Sequence, residues 1–518
     1  MPFALSLFAA LVCGFIALAY EILWYRAFAF TSGGSAATFP LLLSAYLAGM
    51  AEGALLARII CERSGRGPRT LRATAAFAIG VNVFSFLVIP VLMRVVGFAA
   101  WGWALPVVAL SAAALGAILP LVCHLAISPD GRAGSRLSYV YAANVFGSVA
   151  GSLVTGYVLL RFWDTPTIAR VLMIAGIALA GLLALSSTRG KERLIWVAGV
   201  AAVLAVCGGA SHRLYARLYE RLLYKDLYSG TRFEHLIENP LGVVAVTSDH
   251  RVFGGGLYDG VARVDIDDDQ NTLIGAFIIP ALHASPRRVL MLGLGAGTWT
   301  QVIAGLTMVD DITVVESNPA YLELLQDHPD VASLLHNSKV HIVVDDGRRW
   351  LERKTSGPFD VIVANTRASW RSNASALLSA DFMRLVRSRL APGGLFYFNT
   401  AGAQGAFAGA FATFPHGARF LNFAAVSDKP VAFDAARWQK ALIAYRFDGR
   451  SPFDPATALG TKRLRAFLTA PYDAKGWFGA PALESRTSML ARLKGTVPVT
   501  DDNMGTEWRA IYPSLYLR

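Results

Sequence analysis

The sequence predicts two bodies in one chain: an N-terminal bundle of about seven transmembrane α-helices, and a C-terminal doubly wound α/β domain with a small β-domain in front of it. Three observations carry this. Only 16% of the 518 residues are charged and the mean hydropathy is +0.44, against roughly 25% charged in a soluble domain, which excludes an ordinary cytosolic enzyme. The charge is also uneven, since residues 1–210 hold 14 Lys/Arg and 6 Asp/Glu, a net +8 of the total +12, spread over short loops of an apolar half. From residue 288 onward, continuous Val/Ile/Leu runs alternate with helical segments, the mark of a parallel sheet covered on both faces. No soluble face concentrates the basic charge, so the pI near 9.6 reads as membrane topology and no nucleic-acid partner is expected.

Within the membrane half, seven apolar stretches can be drawn at 4–25, 37–59, 73–93, 101–127, 138–160, 167–186 and 194–210. Each is long enough to cross a ~30 Å hydrocarbon core as a helix. The first lacks a charged leader segment and runs on to Trp24 and Tyr25, which suit an interface belt, so it reads as a span. Small residues at Gly49 and Gly53, and at Gly147 and Gly151, have the spacing of close helix contacts. Glu21 and Glu52 are the ionisable groups nearest the membrane interior. Each reads either as a functional carboxylate or as the partner of Arg26 or Arg58 farther along its helix. The even-numbered loops carry 10 Lys/Arg and the odd loops 4, which puts the N-terminus in the cytoplasm and, after seven crossings, the C-terminal half outside. Arg213, Arg217, Arg221 and Lys225 follow the last span and narrow the count to 10 against 8. The expected location is a bacterial-type inner (plasma) membrane, multi-pass, with the lipid bilayer as partner and oligomer formation left open.

The chain divides into 1–210 as membrane bundle, 211–234 as an amphipathic linker, 235–285 as the small β-domain and 286–518 as the α/β domain. The linker repeats Leu and Tyr at helical spacing with basic residues between, which reads as a helix in the membrane interface or packed on the next domain. Alternating β-rich runs with Gly-rich turns fill 240–266. Strands are then expected within 288–295, 311–317, 340–346, 359–365 and 393–399. The run Asp265, Asp267, Asp268 and Asp269 reads as a solvated loop, and the histidines of this half, among them His235, His250, His283 and His416, have no metal-like spacing. All four cysteines lie in the first 207 residues, which excludes a disulfide framework or thiolate metal site in the soluble half.

In such a sheet, ligands bind beyond the carboxyl ends of the strands. The first strand is followed by Gly293, Gly295 and Gly297, opening a helix. The spacing G-x-G-x-G, unlike the G-x-G-x-x-G of dinucleotide sites, favours a nucleoside without a pyrophosphate, such as S-adenosylmethionine. Glu316 ends the second strand, 19 residues beyond Gly297, where an acid can accept from both ribose hydroxyls. Asp345 and Asp346 end the third, where a carboxylate can accept from an adenine amino group. The competing reading is that these acids cap the helices that follow. The fourth strand end carries Asn365 and a loop with Arg367, Trp370, Arg371 and Asn373. Its arginines, tryptophan and amides suit a neutral or anionic acceptor such as a sugar, carboxylate or lipid headgroup. Tyr258 and Asp259, in a turn of the small β-domain, are placed to close over the same pocket.

The order of these segments, with a β-domain containing Leu257, Tyr258, Asp259 and Gly260 in front, resembles spermidine synthase and related polyamine aminopropyltransferases. The resemblance covers about 235–430, and segments at 14–26, 139–148 and 500–507 resemble the membrane-fused members of that superfamily. It implies a Rossmann-like methyltransferase/spermidine synthase fold and a decarboxylated S-adenosylmethionine donor. It also implies carboxylates in the glycine loop, at the fourth strand end and three residues later. Here those positions hold Ala296, Asn365 and Ala368. Asn can orient an amine but cannot take its proton, and loss of these acids removes charge complementarity to polycations.

The expected function is a membrane-bound, spermidine synthase-like transferase binding S-adenosylmethionine or its decarboxylated form and transferring a group to a membrane-proximal acceptor. The expected cofactor-binding residues are Gly293, Gly295, Gly297, Glu316, Asp345 and Asp346. Asn365, Trp370, Arg371, Tyr258 and Asp259 are expected at the acceptor, and no metal is expected. The alternative is an extracytoplasmic enzyme or binding module on the same fold, without the nucleoside, acting on a glycan or envelope polymer.

Overall fold

A computed structural model describes residues 1–353, 357–366, 368–372, 374–447, 449–473 and 481–505. They form two compact units, one of Met1–Arg232 with Glu238–Val243 and one of Phe233–Ile237 with the described residues from Val244 onward.

Seven helices of the first unit are long and apolar enough to cross a membrane: α1 (Phe3–Thr31), α2 (Thr38–Arg63), α3 (Pro68–Val95), α4 (Trp101–Ala126), α5 (Ala133–Phe162), α6 (Thr165–Leu185) and α7 (Gly190–Leu214). Without a hydrophobic drive between helices in lipid, small residues decide which pairs approach closely. A Cβ placed on Gly147 would lie 1.9 Å from the Leu11 carbonyl oxygen, and one on Gly53 1.8 Å from that of Ala113. The glycine pairs therefore seat α5 on α1 and α2 on α4. Arg26 does not turn to Glu21, nor Arg58 to Glu52. Arg58 pairs with Glu62 one turn on at 2.8 Å. Arg26 donates to the carbonyls of Asn239 and Gly242 at 2.8 Å each and lies 3.4 Å from Glu238. Thr165 and Tyr219 hydroxyls also donate to Glu238, at 2.6 and 2.7 Å.

Residues 211–234 do not make one interfacial helix. The last long helix runs on to Leu214, the chain turns through Arg217 at φ +60°, and a short helix α8 (Leu218–Tyr224) follows. Tyr215, Leu218, Tyr219 and Leu222 are buried in this unit, and the Tyr215 hydroxyl donates to the Phe86 carbonyl at 2.7 Å. Hydroxyls that find carbonyl and carboxylate partners inside protein have no need of a lipid interface.

After Arg232, β1 (Phe233–Asn239), β2 (Gly242–Thr247), β3 (Arg251–Gly254) and β4 (Leu257–Val261) form a four-stranded sheet in chain order, as expected for the β-domain. An eight-stranded sheet follows, made of β5 (Arg288–Leu292), β6 (Asp311–Glu316), β7 (Val340–Val344), β8 (Phe359–Ala364), β9 (Leu390–Asn399), β10 (His416–Phe420), β11 (Phe423–Ser427) and β12 (Leu483–Ser485). Its order is β12-β10-β11-β9-β8-β5-β6-β7, with β9, β8, β5, β6 and β7 parallel. Val289 and Met291 face one hydrophobic core while Leu290 and Leu292 face another, so both faces are covered. The chain leaves β5 for β6 on one side and later returns to place β8 on the other. That switch point opens a crevice at the carboxyl ends.

His250 Nδ1 lies 3.2 Å from His328 Nδ1, with the His235 ring 6.1 Å from that of His328. His328 is buried, and among the described residues its Nε2 has no hydrogen-bond partner. Burial first, then the neighbouring His250 and His235, push its pKa below the ordinary histidine value, opposed by Glu234 and Asp327. A base whose folded-state pKa is depressed is destabilising once protonated, so stability is full above about pH 6.5 and is lost as pH falls below it.

Two outcomes are expected. Gly147→Val should cost about 1–3 kcal/mol through overpacking against α1, read as a lower Tm of the detergent-solubilised chain, whereas the same change at Gly156, which has open space beside it, should not. Lowering pH from 7.5 to 5.5 should reduce Tm by several degrees, and His328→Gln should flatten that dependence; an unchanged slope would show that His328 does not set it.

Candidate functional site

The turn after β5 leaves part of its backbone open. Gly293, Gly295 and Gly297 sit at φ +93°, +54° and +78°, a region that side-chain-bearing residues rarely adopt. A Cβ on Gly293 would meet nothing within 4 Å, and one on Gly295 only the Asp259 carbonyl oxygen at 3.6 Å. At Gly297 the reason is packing, since a Cβ there would strike Leu325 at 2.7 Å. Ala296 points into the core. The helix α9 (Thr298–Ala304) starts directly after this turn.

Glu316, last residue of β6, is 5% exposed. Its Oε2 accepts from the Leu294 backbone N–H at 2.8 Å and its Oε1 from the Asn318 N–H at 2.8 Å. Burial raises its pKa, and those backbone donors oppose the rise. One carboxylate thus ties the end of β6 to the glycine turn; Oε1 also accepts from the Ser317 hydroxyl at 3.3 Å, and Oε2 retains a further lone pair for a hydroxyl.

The two acids after β7 part company. Asp345 is buried and bound by Arg349 and Arg353, with Arg349 Nε at 2.9 Å and Arg353 Nη1 at 2.6 Å. The hydrogen bond from Arg349 is the main reason its pKa is lowered. Both its oxygens serve the following helix α11 (Gly347–Glu352), taken here after α10 (Ala320–Gln326). In this structure Asp345 is engaged by these two arginines. Asp346 is exposed and caps α11 by accepting from the Arg349 N–H at 2.8 Å through Oδ1. The capping reading is realised, and among the described residues Oδ2 has no hydrogen-bond partner.

At the β3–β4 turn, Phe253 pairs with Tyr258 and Val252 with Gly260, so Asp259 is the extra residue of a β-bulge. Bulges re-aim side chains. Asp259 accepts from the Tyr321 hydroxyl of α10, and from Arg371 Nη1 at 3.2 Å. Arg371 Nη2 donates to the Gly254 carbonyl at 2.9 Å, and the Asp259 charge raises the guanidinium pKa. Tyr258 does not share these partners: its hydroxyl donates to the Gln270 carbonyl at 3.3 Å and its ring packs edge-on against Phe253. Of the pair expected to close over the pocket, the structure brings Asp259 into the cluster.

Asn365, beyond β8, accepts from Asn399 Nδ2 at 3.1 Å, and Asn399 in turn accepts from the Ala401 N–H at 2.9 Å. This contact engages the Asn365 carbonyl and leaves its NH₂ as a donor. Trp370 is half-buried next to Arg371, and Arg367 and Asn373 lie outside the described residues. Sequence reasoning missed Tyr321, which a helical position inside an apolar run disguises as core. It also missed Asp501, which Arg348 engages bidentately and which accepts from Ser379 at 2.7 Å ahead of α12 (Ala380–Arg387). The motif noted at 500–507 thus fastens the late chain over α11 and α12, with Thr506 and Glu507 outside the described residues. The acidic run is structural as well, with Asp267 paired to Arg463 and Asp265 accepting from two backbone N–H groups. Among the described residues no cluster of His, Cys, Asp or Glu could hold a metal ion.

Residues 276–403 match the spermine/spermidine synthase domain family. The chain is 26% identical over 415 residues to a polyamine aminopropyltransferase of Mycobacterium tuberculosis, covering 76% of each. It is 27% identical over 516 residues to polyamine aminopropyltransferase 2 of Streptomyces coelicolor, covering 95% of this chain and 87% of that one. A crystal structure of spermidine synthase in complex with the transition state analogue AdoDATO aligns at 15% identity and TM-score 0.35, over 46% of this chain and 84% of that one. Residues 276–403 thus carry a match to the spermine/spermidine synthase domain around the β5–β8 crevice, and the chain as a whole is similar to polyamine aminopropyltransferases.

Proposed function

We propose that this protein is a membrane-anchored, spermidine synthase-like transferase whose donor is a nucleoside sulfonium, S-adenosylmethionine or its decarboxylated form, and whose acceptor is not a polyamine. The observation that carries the donor is the junction of Glu316 with the open 293–297 turn. A buried acid with a spare lone pair on Oε2 sits beside the open backbone of Gly293, which fits a ribose hydroxyl at Glu316 and the rest of the donor along Gly293 and Gly295. Asp346 Oδ2 remains for a base edge. When bound, such a donor supplies a carbon activated by positively charged sulfur. The acceptor's nucleophile takes that carbon, the C–S bonding pair stays on a neutral thioether, and the acceptor's proton passes to water.

The chain's own residues support a neutral or anionic acceptor. Ala296 is apolar and buried, Asn365 presents amide hydrogens, and Asp259 is already matched by Arg371. A polyamine would find no unpaired side-chain carboxylate among these groups, and its approach would be opposed by the guanidinium. The seven apolar helices are compatible with a multi-pass membrane protein and would keep the reaction close to a lipid surface.

Calorimetry with S-adenosylmethionine on the detergent-solubilised chain tests the donor. Glu316→Ala should weaken binding at least tenfold, since hydrogen bonds to a charged group contribute about 1.5–3 kcal/mol each. Glu316→Gln, which keeps one acceptor for the turn, should stay folded and still bind less tightly. Equal heats from all three proteins would favour the nucleoside-free alternative.

A further inference from the structure

The Asp259–Arg371 pair stands beside the glycine turn. The Asp259 carbonyl oxygen is 3.6 Å from the Cβ position of Gly295, and Arg371 Nη2 is 3.6 Å from that of Gly255. Asp259 also faces Glu316 closely enough to raise its pKa. A ligand that starts at Glu316 and runs over Gly293 and Gly295 therefore arrives at this pair. The carboxylate is held by the Tyr321 hydroxyl and by Arg371, and the guanidinium by Asp259 and the Gly254 carbonyl. The Arg371 side chain keeps 31% of its surface exposed and that of Asp259 11%, and a guanidinium has five N–H donors in a planar fork.

Two opposite charges held side by side complement a group that also carries two, with the signs reversed. An α-amino acid is such a group, its carboxylate suited to the guanidinium and its ammonium to Asp259. A tail ending in an ammonium alone would bring one charge to the carboxylate and leave the arginine facing a like charge. We propose that Asp259 and Arg371 read the amino-acid end of the donor, so that the site takes S-adenosylmethionine in preference to its decarboxylated form. This rests on the nucleoside reading above and adds to it which tail the site accepts. Tyr321 acts through Asp259 as a positioning residue.

The test compares three probes on the full-length, detergent-solubilised protein by calorimetry: S-adenosylmethionine, decarboxylated S-adenosylmethionine and 5′-methylthioadenosine, which has no amino-acid tail. The expected result is at least a tenfold preference for S-adenosylmethionine over the decarboxylated compound. Arg371→Met should abolish that preference while leaving the affinity for 5′-methylthioadenosine unchanged, which also reports that the variant is folded. Arg371→Lys, which keeps the charge but not the fork, should retain part of the preference. Equal or tighter binding of the decarboxylated compound by the unmodified protein would overturn the inference and leave the nucleoside reading standing. Silence from all three probes would overturn both. Tyr321→Phe should reduce the preference without changing 5′-methylthioadenosine binding, an effect that loss of packing alone would not give.

Discussion

The arrangement of the α/β unit depends on where one buried carboxylate directs its oxygens. Glu316 leaves the end of β6 and accepts from a backbone N–H of the neighbouring glycine turn and from one of its own loop. An unmet buried acid would be costly, and unmet buried N–H groups nearly as much. Joining them satisfies both and fixes the spacing of two strand ends. Everything built on the crevice takes its geometry from this contact: the three left-handed glycines, the approach of the β3–β4 turn, and the position of Asp259 over Gly295.

Much of the fold was legible in the sequence because its signals are local and strong. Seven long apolar runs give seven long helices, and the strands fall where continuous Val/Ile/Leu runs were seen. The helix-packing role of Gly49, Gly53, Gly147 and Gly151 was readable from spacing alone. The linker was not, because Leu and Tyr at helical spacing fit a lipid interface and a protein interior equally well. Only the partners of Tyr215 and Tyr219 settle which is realised. The supposed pairs of Glu21 with Arg26 and Glu52 with Arg58 failed for a related reason: a partner nearby along a helix competes with others that the tertiary fold brings closer.

The glycines and Glu316 lie at strand ends as the sequence places them, a feature of topology that survives translation into sequence. Asp345 and Asp346 could not be told apart, since adjacent acids before a helix serve equally as cap, ion-pair partner or ligand group. In the structure Asp345 is held by Arg349 and Arg353. The cluster of Asp259, Tyr321 and Arg371 draws on positions more than a hundred residues apart, and the bulge that re-aims Asp259 leaves no mark in composition. The histidine cluster went unseen for the same reason: His235, His250 and His328 acquire meaning only as neighbours in space.

The clasp made by Asp501 has a consequence for synthesis. Arg348 and Ser379 emerge from the ribosome well over a hundred residues before the carboxylate that satisfies them, and β12 joins β10 only after residue 483 has followed. A nascent chain can form its apolar helices and lay down the parallel strands early, yet the outer layer beside the crevice stays unfinished until the segment around residue 501 is translated. Such late, long-range closure is slow. A message truncated shortly before codon 501 would therefore yield a chain that is largely folded, but with an unsealed flank exposed to proteases.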